Sequence, residues 1–233
     1  MLDCGFSVKE TAQRLERLGV APADLAGIVV THEHSDHVGG AFKLARKYRI
    51  PVWLTYGTFC AVREQTRDVD IRFCQDGKSI GIGCLELHPF TVPHDAREPV
   101  QYVATHGVTR LGILTDAGHA TSHMIQALGQ CDALVLECNH DQKLLLDSIY
   151  PASLKHRISG AYGHLSNATS TQILKQIDKS RLKLVIGAHL SKVNNTAALA
   201  HAALLNGLGS TAAQIDIACQ SNGFGWVDLA DLA

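Results

Sequence analysis

The chain has 233 residues, of which 46% are hydrophobic and 18% charged; this is enough apolar material for a sizeable core and excludes a disordered chain. Lys and Arg number 21 against 22 Asp and Glu, so there is no bulk positive field to draw in nucleic acid, and only a local basic groove could do so. No apolar run approaches the roughly 18 to 20 residues that span a bilayer, and Met1-Leu2-Asp3-Cys4-Gly5 lacks the form of a secretion signal. Seven scattered cysteines, with no C-x-x-C pair, suit a reduced, cytoplasmic setting.

Repeats and linker-like stretches are absent, which predicts a single domain over 1–233. Ser7-x-x-Glu10 has the form of a capping box, and Val8, Leu15 and Leu18 recur at helical spacing up to Gly19. The β-branched run Ile28-Val29-Val30-Thr31 predicts a buried strand that stops at His32. A helix over 39–48 and a strand over 52–55 follow. The segment 85–92 alternates like a half-buried strand and ends at Pro93-His94. Segments 101–105 and 110–115 predict a hairpin whose second strand ends at Asp116. A strand over 133–138 ends at Asn139-His140, and a helix over 166–177 has Ser166 as its N-cap. A strand over 182–187 ends at Ala188-His189, and 196–205 is an apolar-faced helix.

His32, His94, Asp116, His140 and His189 therefore each follow directly on an apolar strand. In layered α/β proteins the strand ends are rigid mounts, and the loops beyond them carry chemistry. The segment His32-Glu33-His34-Ser35-Asp36-His37 places four potential metal ligands within six residues. His32 and His34 alternate on one side of an extended stretch, and Asp36 and His37 turn away as the chain bends into a helix. A tetrahedral ion takes about four ligands, and catalytic sites keep one position open. Adding His94, Asp116 and His189 makes seven donors, too many for one ion and suited to two bridged by Asp116.

These residues resemble the metallo-β-lactamase superfamily, whose members share H-x-H-x-D-H. Leu2-Asp3-Cys4-Gly5 is similar to its first motif, Pro93-His94-Asp95 to its third, Leu114-Thr115-Asp116-Ala117-Gly118 to its fourth and Gly187-Ala188-His189 to its fifth. The resemblance implies a four-layer αββα sandwich of two mixed sheets flanked by helices. Relatives carry strands ahead of the first motif, so the resemblance also implies a sheet without its usual first strands. One metal would be held by His32, His34 and His94, the other by Asp36, His37 and His189, with Asp116 bridging. Asp3 would support the metal loop from behind. More narrowly, Leu136-Glu137-Cys138-Asn139-His140-Asp141, Gly163-His164-Leu165-Ser166-Asn167 and the His189-Leu190-Ser191 segment resemble the YycJ/WalJ-like branch. That branch is related to PhnP and tRNase Z and is associated with DNA exonuclease activity.

The implied chemistry is hydrolysis by a metal-bridging hydroxide, with two divalent ions acting as Lewis acids. Asp36 or Asp116 would orient the hydroxide. His164, just before a helix start at Ser166 that suits a phosphate, would protonate the leaving oxygen. His119, Asn139, His140, Asn194 and Asn195 are candidates for contacts with substrate or with the ligands; Asn194-Asn195 reads first as a turn and helix cap. Lys155 and Arg157 could meet phosphates, although charges on a helix face are commonly just solvated. An imidazole and carboxylate set without cysteine is compatible with Zn²⁺, Mn²⁺ or Fe. The expected activity is that of a phosphodiesterase, most simply a nuclease acting on DNA or RNA. The alternatives are a hydrolase of thioesters, lactones or β-lactams and, from another class, a non-catalytic metal-binding scaffold for nucleic acid.

Overall fold

A computed structural model describes residues 1–221 and 223–229. Its backbone divides into two compact units, Met1–Thr91 with Ala96–Val100, and Val92–Asp95 with the chain from Gln101 onward. Among the described residues no helix is long and apolar enough to cross a membrane.

In the first unit, α1 (Val8–Glu16) begins at Ser7, whose hydroxyl accepts the Glu10 amide at 3.2 Å, the cap expected of Ser7-x-x-Glu10. Strand β1 is short (Ile28–Val29). It stops ahead of the expected Thr31 because the Thr31 amide goes to the Asp3 carboxylate (2.8 Å) and not to a neighbouring strand. The expected helix over 39–48 is α3 (Ala41–Tyr48); a further short helix that was not expected, α2 (Ser35–Val38), starts inside the histidine cluster, with a break at Gly39-Gly40 between the two.

The break is forced by close packing of the Leu2–Phe6 backbone. A Cβ at Gly40 would lie 1.9 Å from the Phe6 carbonyl oxygen, and one at Gly5 1.7 Å from that of Asp36. β2 (Val52–Leu54), α4 (Tyr56–Val62) and β3 (Ile71–Phe73) follow, and β1, β2 and β3 pair in parallel in that order. β4 (Ile80–Ile82) and β5 (Leu85–Thr91) form an antiparallel hairpin. Phe42, Leu44 and Ala45 of α3 bury against Ile28, Val52 and Leu54, giving this unit its own core.

In the second unit, β6 (Val100–His106) and β7 (Thr109–Leu114) make the expected hairpin, turning through Gly107 at φ 59°. Next come α5 (Ser122–Leu128), β8 (Ala133–Glu137), α6 (Gln142–Asp147) and α7 (Ala152–Ser159). The chain continues with α8 (Asn167–Gln176), β9 (Leu184–Ala188), α9 (Ala197–Leu208) and β10 (Gln214–Ile217). The strand order here is β10-β9-β8-β7-β6, and all neighbours except the β6–β7 hairpin are parallel. β9 is buried along its whole length, so it reads as a continuous apolar run without alternation. Helix α8 docks on α9 through Thr171, whose hydroxyl donates to the Ala203 carbonyl at 2.8 Å. Gly207 is also required there, because a Cβ would sit 2.7 Å from that of Leu174.

Parallel pairing aligns three strand ends. Leu114 is in register with Leu136, and Glu137 with Ala188. The residues just past β7 and β9, Asp116 and His189, therefore flank Glu137 at the end of β8.

Candidate metal centre

In the first unit the histidine loop is organised by Asp3. Its Oδ1 accepts the Thr31 amide (2.8 Å), and its Oδ2 accepts the Thr31 hydroxyl (2.9 Å) and the Nδ1–H of His37 (2.7 Å). The hydroxyl has one proton, and Asp3 takes it. Thr31 Oγ1 must therefore accept from Nδ1–H of His32, 2.9 Å away. Both rings thus carry a proton on Nδ1, which makes Nε2 the nitrogen suited to a metal, as in metal-ligating histidines whose other nitrogen is held from behind. The three imidazoles cluster: His32 lies 4.6 Å from His34 and 4.1 Å from His37, centroid to centroid. Asp36 Oδ2 is 3.5 Å from His37 Nε2, and the carboxylate is largely exposed. Asp3 itself has φ 51°, a strained conformation that three hydrogen bonds hold in place.

The second unit gathers His94, Asp116, Glu137, His164 and His189. His94 Nδ1 donates to the Gly163 carbonyl at 3.0 Å, and its Nε2 lies 3.8 Å from Asp116 Oδ1 and 3.5 Å from Asp95 Oδ1. Asp116 is 2% exposed, and its Oδ1 is 3.5 Å from His164 Nδ1 and 3.6 Å from His189 Nδ1.

Glu137, wholly buried, joins the group together. Its Oε1 accepts Nδ1–H of His164 (2.9 Å) and of His189 (2.8 Å), and its Oε2 accepts the amides of Ala117 and Leu165, both at 3.1 Å. Burial drives the Glu137 carboxyl upward, but the hydrogen bonds and charges of the two imidazoles outweigh it and hold the group below its ordinary range. With four donors on two oxygens, Glu137 is spent as a clamp. Sequence reasoning passed over it, although a lone carboxylate closing the run Ala133-Leu134-Val135-Leu136 was a signal: a charge at the end of a buried strand needs partners.

The surrounding polar residues tie these loops together. Asn139 donates from Nδ2 to the His189 carbonyl (3.1 Å), accepts the Ser191 amide (2.8 Å) and gives its own amide to Leu165 (3.0 Å). His189 has φ 56°, so this bracket holds a strained backbone. Asn195 does not cap α9; Thr196 does. Asn195 instead forms a reciprocal amide pair with Asn167, both bonds 2.9 Å, and donates to the Cys138 carbonyl at 2.7 Å. Ser166 caps α8 by accepting the Thr169 amide. His119 Nδ1 donates to the Ala161 carbonyl at 2.8 Å.

His140 is buried. Its Nδ1 has no hydrogen-bond partner among the described residues, and burial lowers its pKa. Both side-chain amide atoms of buried Asn194 are likewise without partners among the described residues. Cys138, pushed up to about 12 by burial, is not a thiolate ligand.

A cation fits both sets of donors. Imidazole Nε2 atoms and carboxylate oxygens lie together at His37–Asp36 (3.5 Å) and His94–Asp116 (3.8 Å), nitrogen and oxygen donors of the kind a divalent cation binds. Oxygen and imidazole donors without thiolate suit a divalent transition metal.

A family described as a beta-lactamase superfamily domain matches residues 1–187. The chain is 34% identical over 203 residues to exodeoxyribonuclease YycJ of Bacillus anthracis, covering 86% of this chain and 77% of that protein. It is 32% identical over 213 residues to exodeoxyribonuclease WalJ of Streptococcus pneumoniae, covering 89% and 79%. Among solved structures, the metallo-β-lactamase fold protein YhfI of Bacillus subtilis superposes with a TM-score of 0.69 at 16% identity, over 96% of this chain and 85% of that one. Zn²⁺-bound PqqB of Methylobacterium extorquens gives 0.69 at 15% identity, over 96% and 81%.

Proposed function

Because the chain belongs to the beta-lactamase superfamily and has the metallo-β-lactamase fold, we propose that it is a dinuclear metal hydrolase that cleaves phosphodiesters, with a DNA strand as substrate. The names of the two exodeoxyribonuclease relatives support the substrate class. The family's ligand pattern supports one ion on His32, His34 and His94 and another on Asp36, His37 and His189, with Asp116 shared. The single family match over residues 1–187 draws on both units, which supports their acting as one domain. Seven free cysteines support a reducing, cytoplasmic setting.

Ions held there would supply Lewis acidity toward the phosphate and lower the pKa of bound water. The protein's own part begins with orientation. Asp3, through Thr31 and His37, and Glu137, through His189, fix imidazole tautomers so that Nε2 carries the lone pair.

The observation that carries the proposal is that Glu137 Oε1 also binds His164 Nδ1. This leaves His164 Nε2 as the atom that exchanges a proton with substrate. A carboxylate on Nδ1 partners both the neutral and the protonated ring, so His164 is equipped to deliver a proton to a leaving alkoxide. Zn²⁺, Mn²⁺ and Fe all suit the donors.

The test is a turnover panel with added Mn²⁺ or Zn²⁺ on bis-p-nitrophenyl phosphate, 5′-phosphorylated DNA, S-lactoylglutathione and nitrocefin. Hydrolysis of the two phosphodiesters alone is expected. Turnover of the thioester or the β-lactam without either phosphodiester overturns the reading.

A further inference from the structure

The segment from α6 through Gly163 leads directly into His164. Helix α7 contributes no buried residue. Three large apolar side chains on this segment face solvent: Leu146 at 71%, Ile149 at 95% and Tyr162 at 62% exposure. The cations Lys155 and Arg157 lie on α7 between Ile149 and Tyr162 in sequence. Lys155 places its ammonium on the Leu146 carbonyl at 2.6 Å, and Arg157 meets Asp95 at 2.7 Å.

Exposure is not accompanied by looseness at Tyr162. Its carbonyl accepts the amide of Asp95, next to His94, at 3.0 Å. His119 holds the carbonyl of the preceding Ala161 at 2.8 Å. A Cβ on Gly118 would lie 2.6 Å from the Tyr162 amide nitrogen, and one on Gly163 2.2 Å from the carbonyl oxygens of Arg157 and Ile158. The Tyr162 backbone is thus wedged between the loops that carry His94 and Asp116, two residues from His164, while its side chain faces water.

Resting on the phosphodiesterase reading, we infer that this segment binds a single-stranded nucleic acid, with a nucleobase stacked on Tyr162 and a backbone phosphate on Lys155. A solvent-facing ring with a cation nearby in the chain is what a single strand requires at one nucleotide: a π-face for an unstacked base and positive charge for its phosphate. The position beside His164 places the stacked base next to the linkage being cleaved. The chain as a whole is nearly neutral, so local charge such as that of Lys155 must supply the attraction.

The experiment measures anisotropy of a labelled 5′-phosphorylated phosphorothioate oligonucleotide on metal-loaded protein, together with turnover of ordinary DNA and of bis-p-nitrophenyl phosphate. Tyr162→Ala should weaken strand binding about 5- to 100-fold, and Tyr162→Phe should keep it. Lys155→Ala should reduce the slope of log K against log salt by about 0.7, the value for one phosphate contact on a single strand. All three variants should keep the wild-type thermal midpoint and metal content, which shows that they fold. Unchanged strand binding in Tyr162→Ala, or equal losses in Tyr162→Phe, overturns the stacking assignment while wild type still cleaves DNA. A wild type that cleaves no DNA overturns the nuclease reading itself, and the inference with it.

Discussion

His164 and His189 place their Nδ1–H groups on the same oxygen of Glu137, so the account assigns their different roles to what each Nε2 meets. His164→Ala should keep its metal and its fold yet lose activity on DNA by about 10²- to 10⁴-fold, the usual contribution of general acid–base catalysis. The loss should shrink on bis-p-nitrophenyl phosphate, whose leaving group departs without a proton. Equal losses on both substrates, or a metal-depleted variant, would remove His164 from the acid role. Glu137→Gln is expected to cost more broadly, about 10- to 100-fold in metal affinity or activity, because an amide cannot accept both imidazole N–H groups and both amides as an anion does. The Glu137 carboxyl is held below its ordinary range, so its contribution to stability is present above its unfolded pKa, near 4.3, and drains away as pH falls through the folded value. Thermal melts across acid pH should therefore show a flatter acid limb in Glu137→Gln; identical limbs would mean the clamp is not ionised.

At the level of elements, the strand-and-loop pattern was legible because apolar runs and the chemistry at their ends are local signals. The hairpin through Gly107 and the strand ends at Asp116 and His189 were read from sequence alone. The short helix α2 was not, because it forms where the Leu2–Phe6 segment packs onto the histidine cluster from a distance in sequence. α7 was legible only as the charged face that carries Lys155 and Arg157, since it has no buried face to give a periodicity. Thr196 displaced Asn195 as the cap of α9 because Asn195 is engaged with Asn167 and Cys138, contacts invisible in a window of neighbouring residues. The tight approach of Gly5 to Asp36 predicts that Gly5→Ala, harmless by composition, shifts the metal loop. A Cβ 1.7 Å from a carbonyl oxygen must move backbone, and overpacking of that kind typically costs about 1–3 kcal/mol. Urea unfolding should show that loss together with weakened metal retention. A Gly5→Ala protein as stable as wild type would mean the loop is more pliant than its packing indicates.

Across the whole molecule, the proposed ligand residues could be picked out because H-x-H-x-D-H is compact. Glu137 could not, since its role exists only once β7, β8 and β9 lie in register. The cysteines give an independent check on the fold. Cys60, Cys84 and Cys219 are exposed, whereas Cys4, Cys74, Cys131 and Cys138 are buried. Burial raises the pKa of the Cys4, Cys131 and Cys138 thiols. Native protein should therefore label rapidly at those three exposed positions and at all seven once unfolded; fast native labelling of Cys138 would contradict the packing of β8 against α8.

The central claim, a two-metal hydrolase of nucleic acid, is tested most directly by titrating chelator-stripped protein with Mn²⁺ or Zn²⁺ while following hydrolysis of 5′-phosphorylated DNA. The account predicts no cleavage without metal, a rise to a plateau at about two equivalents per chain, and no recovery in Asp116→Ala at any metal concentration. Saturation at one equivalent, or cleavage by the stripped protein, would contradict it.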